Sequence, residues 1–169
     1  PHDPFIAPPE FMGGRSRGSV EFRQNVPSLQ KVRDRAAEDL AGYYGMIENV
    51  DWNLGRVIGK LRARKLLEQT HVMYFSDHGD MMGSHGQFRK MTPYEEAVRI
   101  PILIGGEIPM DYGTRGCKAV KRVMINHVDI APTTLGLCGI AKPDWMEGFD
   151  YSFCRLNRSE PHDDIPDSV

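Results

Sequence analysis

Cysteine is scarce in this chain. Three stand among 169 residues, Cys117, Cys138 and Cys154, and no two of them form a C-x-x-C pair. Neither a cysteine-held structural zinc nor a disulfide framework is indicated, and the redox compartment stays open. Charge of one sign is lacking too. Twenty-one Lys+Arg against 23 Asp+Glu leave a formal charge of −2, so no strong field argues for nucleic acid or an anionic membrane as partner. No apolar run reaches the roughly 18 residues of a transmembrane helix, and no internal repeat is present. An initiator Met and a signal-like apolar stretch are also missing. The chain opens on Pro1-His2-Asp3-Pro4, from which the expectation is a piece of something longer. Turn formers, by contrast, are plentiful: 17 Gly and 12 Pro point to many connections between short elements rather than to a helical bundle.

Along the chain, residues 1–27 are rich in Pro, Gly and Arg and hold no sustained period, which reads as one long irregular segment. Ser28 is then a candidate N-cap. Apolar residues follow at Val32, Ala36, Leu40, Tyr43, Tyr44, Ile47, Leu54, Val57, Ile58 and Leu61, the spacing of a helix from about Leu29 to Arg64 with one buried stripe. Gly42 and Gly55 mark where so long a helix would kink. His71 to Ser76 is a short apolar, aromatic run ending in Asp77-His78-Gly79, the pattern of a buried strand that feeds a loop. Further strands are expected at Ile100–Ile104 and Arg122–Asn126. Asp129 caps a helix over Ile130–Leu137, with Gly139 as its stop. Helix followed by buried strand indicates an α/β sheet.

The densest group of chemically able side chains runs from Ser76 to Lys90, where the first strand leaves the sheet. In open α/β sheets ligands bind at that edge. Asp77 and His78 point apart on an extended strand, but at its end the backbone turns and both can reach one ion. A carboxylate oxygen with an imidazole nitrogen suits a divalent cation completed by further oxygens, and Gly79 permits the reversal. On its own an Asp-His pair is more often a turn or a cap than a metal pair, and a lone Lys90 a solvated surface lysine.

The longer pattern is more specific. Ser76-Asp-His-Gly-Asp-Met-Met-Gly-Ser-His-Gly, then Lys90 and Thr92-Pro-Tyr-Glu-Glu-Ala-Val-Arg-Ile-Pro101, resembles the sulfatase family of the alkaline-phosphatase-like superfamily. So do Pro1-His-Asp-Pro4, Tyr43-Tyr-Gly-Met-Ile-Glu-Asn-Val-Asp51 and Asn126-His-Val-Asp-Ile-Ala-Pro-Thr133, in the family's order. The resemblance implies an α/β fold, here a fragment of an alkaline-phosphatase-like mixed-sheet domain with flanking helices. Residues 1–150 would be the C-terminal portion of the catalytic domain, and 151–169 a surface or disordered extension. It further implies that Asp77 and His78 bind a divalent metal, usually calcium. Lys90 would contact the sulfate and the leaving oxygen, and His2 would give a proton to the departing alcohol or bind a sulfate oxygen. His85 faces either the substrate or a loop-stabilising hydrogen bond. Asp80 reads as a loop residue; Glu95, Arg99, His127 and Asp129 as structural, through buried pairing or capping; Arg15 and Arg17 as a solvated loop pair.

Two features of the family are missing from these residues. No Cys/Ser-x-Pro-x-Arg motif, the source of the formylglycine nucleophile, occurs, and neither does the family's N-terminal Asp-Asp pair that completes the metal site. The expectation is that this chain alone hydrolyses nothing and holds metal weakly, while its parent hydrolyses sulfate esters. A phosphonate or phosphate ester hydrolase of the same superfamily and a non-catalytic binding module are the alternatives. The expected partner is a sulfate ester, with no nucleic acid and no transmembrane segment. Compartment and oligomeric state are open; relatives are often periplasmic, secreted or lysosomal.

Overall fold

Small residues decide where the long helix is covered. In the computed structural model, which describes residues 7–106 and 124–156, α1 runs from Gln30 to Ala63 as one uninterrupted element of 34 residues. The periodicity places both ends within one residue, and neither Gly42 nor Gly55 breaks the helix. Its N-cap is Leu29, without a side-chain cap, so Ser28 is not the cap; Arg33 Nη2 lies 3.4 Å from its hydroxyl instead. The buried positions are Ala36, Ala37, Ala41, Gly42 and Gly45, all in the first half. A β-carbon on Gly45 would stand 2.9 Å from Ala7 Cβ, Met12 Sδ and Phe11 O, so only glycine lets the preceding segment lie this close. Arg15 and Arg17, expected to be solvated, reach Glu48 at 3.1 Å and Glu38 at 2.7 Å. These half-exposed pairs contribute little energy and mainly orient the segment.

The second half of α1 departs from the single buried stripe. Ile47, Val50 and Val57 are 46%, 48% and 57% exposed. Helical spacing defines an apolar face, but among the described residues it is covered only in part there, Leu54, Ile58 and Leu61 being partly buried.

The chain folds as two units, residues 1–65 with 75–102, and residues 66–74 with 103–169. Besides α1, the first contains the loop after the first strand and a single helical turn, α2 (Glu95–Val98). Its core includes Val26, Ala36, Ala37, Met81, Met82 and Ala97.

The second unit holds most of a two-stranded sheet formed by β1 (Val72–Phe75) and β2 (Ile102–Gly105). The strands are antiparallel, with Gly106 at the end of β2 lying against Thr70 ahead of β1. The first was expected to be buried, yet its Phe75 is 42% exposed, as Leu103 of β2 is at 55%, because two strands leave one another's outer faces bare. Of the third expected strand, residues 124–126 form none and the rest lie outside the described residues. Helix α3 (Ile130–Leu137) is where the pattern predicts it. Asp129 Oδ2 accepts the Asn126 N–H at 2.8 Å and Oδ1 the Phe149 N–H at 2.7 Å, so this buried carboxylate caps one turn and anchors a second strand of chain. Tyr151, Ser152 and Phe153, beyond the boundary expected at residue 150, are buried; the short α4 (Phe153–Leu156) follows. Burial, with Asp129 nearby, pushes the Tyr151 phenol above its usual value.

Candidate functional site

The site is built by a turn and the loop that returns to it. β1 ends at Phe75, and Ser76 Oγ donates to the His78 carbonyl at 2.7 Å. Asp77 Oδ1 accepts the N–H of His78 at 3.0 Å, and Gly79 N–H donates to Ala97 O at 2.8 Å. A β-carbon on Gly79 would fall 1.9 Å from Glu96 O. Only glycine allows the α2 backbone to approach the turn this closely.

This turn makes adjacent side chains converge. Asp77 Oδ2 lies 3.2 Å from His78 Nε2, and Lys90 Nζ meets the same nitrogen. His78 Nδ1 lies 2.8 Å from Gly79 O. A carbonyl only accepts, so the ring N–H sits on Nδ1 and Nε2 presents its lone pair. A lone pair and a carboxylate oxygen facing one another at this separation repel unless a cation lies between or beside them. The Lys90 ammonium fills that role here. Burial raises the Asp77 carboxyl, but the His78 ring when it is protonated, the backbone N–H groups and Lys90 outweigh it and hold the group below its ordinary value.

This donor set fits part of a divalent-metal site: one carboxylate and one imidazole lone pair aimed at a common point. Two donors fall short of the six or more oxygens that calcium takes. Among the described residues no group of three His, Cys, Asp or Glu side chains converges to complete it.

The loop returns Lys90 through a run of unusual backbone. Met82, His85 and Arg89 take positive φ of 46°, 55° and 70°, and Met81 and Met82 are buried at 1% and 8% exposure. A stretch that reads as a polar loop is therefore pinned by its two methionines. Asp80 Oδ1 accepts the N–H groups of Met82 and Arg89 at 3.0 and 3.1 Å.

His85 is engaged elsewhere. Its ring stacks on Tyr94 at 4.4 Å, its Nε2 lies 3.2 Å from Asn25 Nδ2, and its N–H donates to Asn25 O at 2.9 Å. Asn25 also donates to Glu96 Oε1 at 2.7 Å. That bond, with support from Ser84 and Arg23, holds the Glu96 carboxyl below its ordinary value despite its burial. Asn25 escapes sequence reasoning because its partners lie 60 and 71 residues away. Glu95 and Arg99 do pair, at 3.5 Å, but in solvent rather than buried. His2 and Cys117 lie outside the described residues.

A family model described as Sulfatase matches residues 1–140, and the chain belongs to that family. The ulvan-active sulfatase of Formosa agariphila is 35% identical over 155 residues, 90% of this chain and 29% of that protein. Among solved structures, yidJ of Bacteroides fragilis matches with a TM-score of 0.79 at 28% identity, over 92% of this chain and 34% of that one. The phosphonate monoester hydrolase of Silicibacter pomeroyi matches at 0.65 and 25%, over 92% and 32%. The fold is thus the α/β fold of the alkaline-phosphatase-like class. The chain spans between about a fifth and a third of the length of the curated relatives it matches.

Proposed function

We propose that these residues form the anion-binding side and part of the metal site of an enzyme that hydrolyses sulfate esters. The observation that carries the reading is the convergence of Asp77 Oδ2, His78 Nε2 and Lys90 Nζ on one point at the end of β1. Asp77 and His78 would hold a divalent cation, of which calcium suits the carboxylate best. When bound it supplies a Lewis acid that polarises a sulfate oxygen.

The chain's own groups have separate tasks. Asp77 stays ionised to neutral pH and below, because its carboxyl is held low. His78 keeps its lone pair outward through the Nδ1 bond to Gly79 O. Lys90 offers a compact ammonium that donates to a sulfate oxygen and to the leaving oxygen as negative charge grows there. Were a cation held by Asp77 and His78, the Lys90 ammonium would be left to face the anion. His2 is proposed as the proton donor to the departing alcohol. The nucleophile, a formylglycine, comes from residues outside this chain. The 169 residues alone are therefore inactive.

A second reading, a phosphonate or phosphate ester hydrolase, is favoured by the likeness to the phosphonate monoester hydrolase, since the same three groups serve either anion. The test is to assay the complete reading frame that contains these residues, beside the 169-residue chain, on a 4-nitrophenyl sulfate and the matching phenyl phosphonate ester with calcium present. Preferential turnover of the sulfate by the complete frame, and none by the chain, is expected. Preference for the phosphonate ester moves the assignment to the second reading. Turnover of the sulfate by the 169 residues alone contradicts the placing of the nucleophile, and no turnover by either protein leaves a binding module.

A further inference from the structure

We propose that Asp80 is a positioning residue for Lys90, acting through the left-handed turn at Arg89. The inference rests on the reading of Lys90 as the anion-binding group, but its mechanism is one of backbone geometry. A single carboxylate oxygen, Asp80 Oδ1, accepts the N–H of Met82 at 3.0 Å and that of Arg89 at 3.1 Å. Between these, Met81 N–H donates to Arg89 O at 2.9 Å and Gly83 N–H to Gln87 O at 2.8 Å. Both ends of the loop are thereby tied together two residues beyond His78.

Arg89 is the residue from which Lys90 departs, and it sits at φ +70°. That conformation is unfavourable for any residue with a β-carbon, because the side chain crowds the backbone. It persists where the surroundings over-determine it, and here both backbone groups of Arg89 are held, its N–H by the Asp80 carboxylate and its C=O by Met81. Charge-assisted acceptance from the backbone is among the stronger hydrogen bonds. Were the N–H released, Arg89 would relax to negative φ, the chain would leave the loop in another direction, and the Lys90 ammonium would part from His78 Nε2. Asp80 thus sets where the cation of the site stands through the backbone that carries it.

The experiment labels the lysines of the full chain with limiting acetic anhydride and reads Lys90 against the exposed helix residue Lys60 by peptide mass spectrometry. In Asp80→Ala the Lys90/Lys60 ratio should rise roughly three- to tenfold, the population shift that one lost hydrogen bond produces. Asp80→Asn keeps an acceptor oxygen and should stay within twofold of the parent. Adding Arg89→Gly to Asp80→Ala should restore the parent's ratio, since glycine takes positive φ freely; a purely structural role for Asp80 predicts no such rescue. If circular dichroism shows Asp80→Ala unfolded, Arg89→Val puts the same question, because a β-branched residue resists this conformation. A folded Asp80→Ala or Arg89→Val with an unchanged ratio, or a failed glycine rescue, overturns the proposal. The readout needs no turnover, so failure of the sulfatase reading appears in the ester assay and failure of the positioning role appears here.

Discussion

The loop of residues 76–91 and the second half of α1, residues 46–63, both present groups that call for partners, and the loop meets more of that demand from within itself. In the loop, Asp80 closes the ends, Met81 and Met82 fill the space beneath, and three non-glycine residues accept left-handed backbone. In the helix, Ile47, Val50 and Val57 repeat at helical spacing and stay half exposed. The loop's contacts are mostly short in sequence, so its geometry closes locally. An apolar helix face needs a partner from elsewhere, and its hydrophobic stabilisation is realised only when that partner covers it.

Glycine substitution breaks this comparison most sharply. Gly79→Ala drives a β-carbon into Glu96 O and should destabilise the chain by about 3–5 kcal/mol, the upper range for single substitutions. Gly55→Ala, where nothing lies within 4 Å, should instead stabilise by about 0.5–1 kcal/mol through helix propensity. Urea unfolding of the two variants measures both; a similar sign for the two would erase the distinction.

Acid sensitivity gives a smaller effect on the loop side. The Glu96 carboxyl is held below its ordinary value, first by the Asn25 hydrogen bond. A group whose folded value is depressed contributes stability that is complete above its unfolded value and lost as pH falls through the folded one. Stability should therefore decline below the ordinary carboxylate range, and Glu96→Gln should flatten that decline while leaving its slope near neutral pH unchanged. Unfolding curves taken from pH 7 down to pH 3 decide it. A decline of equal steepness in the variant would assign the acid sensitivity to other carboxylates.

Much of this architecture is legible in the sequence for a physical reason: helical period is a local property. The ends of α1 fall within one residue of the pattern, and α3 lies where Asp129 and Gly139 bracket it. The turn that lets adjacent Asp77 and His78 converge follows from a strand that stops ahead of Asp77-His78-Gly79. What does not show is long-range. Asn25 joins Glu96 and His85 across more than half the described first unit, the burial of Met81 and Met82 depends on packing, and positive φ at Arg89 is signalled by no residue preference. The exposed stripe of α1 is the complementary case, where the pattern names a face and says nothing of its cover.

Lys90 is proposed to serve the anion rather than the surface. In the complete protein, Lys90→Ala should then lower kcat/KM for an aryl sulfate by about 10²–10³-fold, the range for removing a group that meets developing negative charge; a value within twofold of the parent would refute that role.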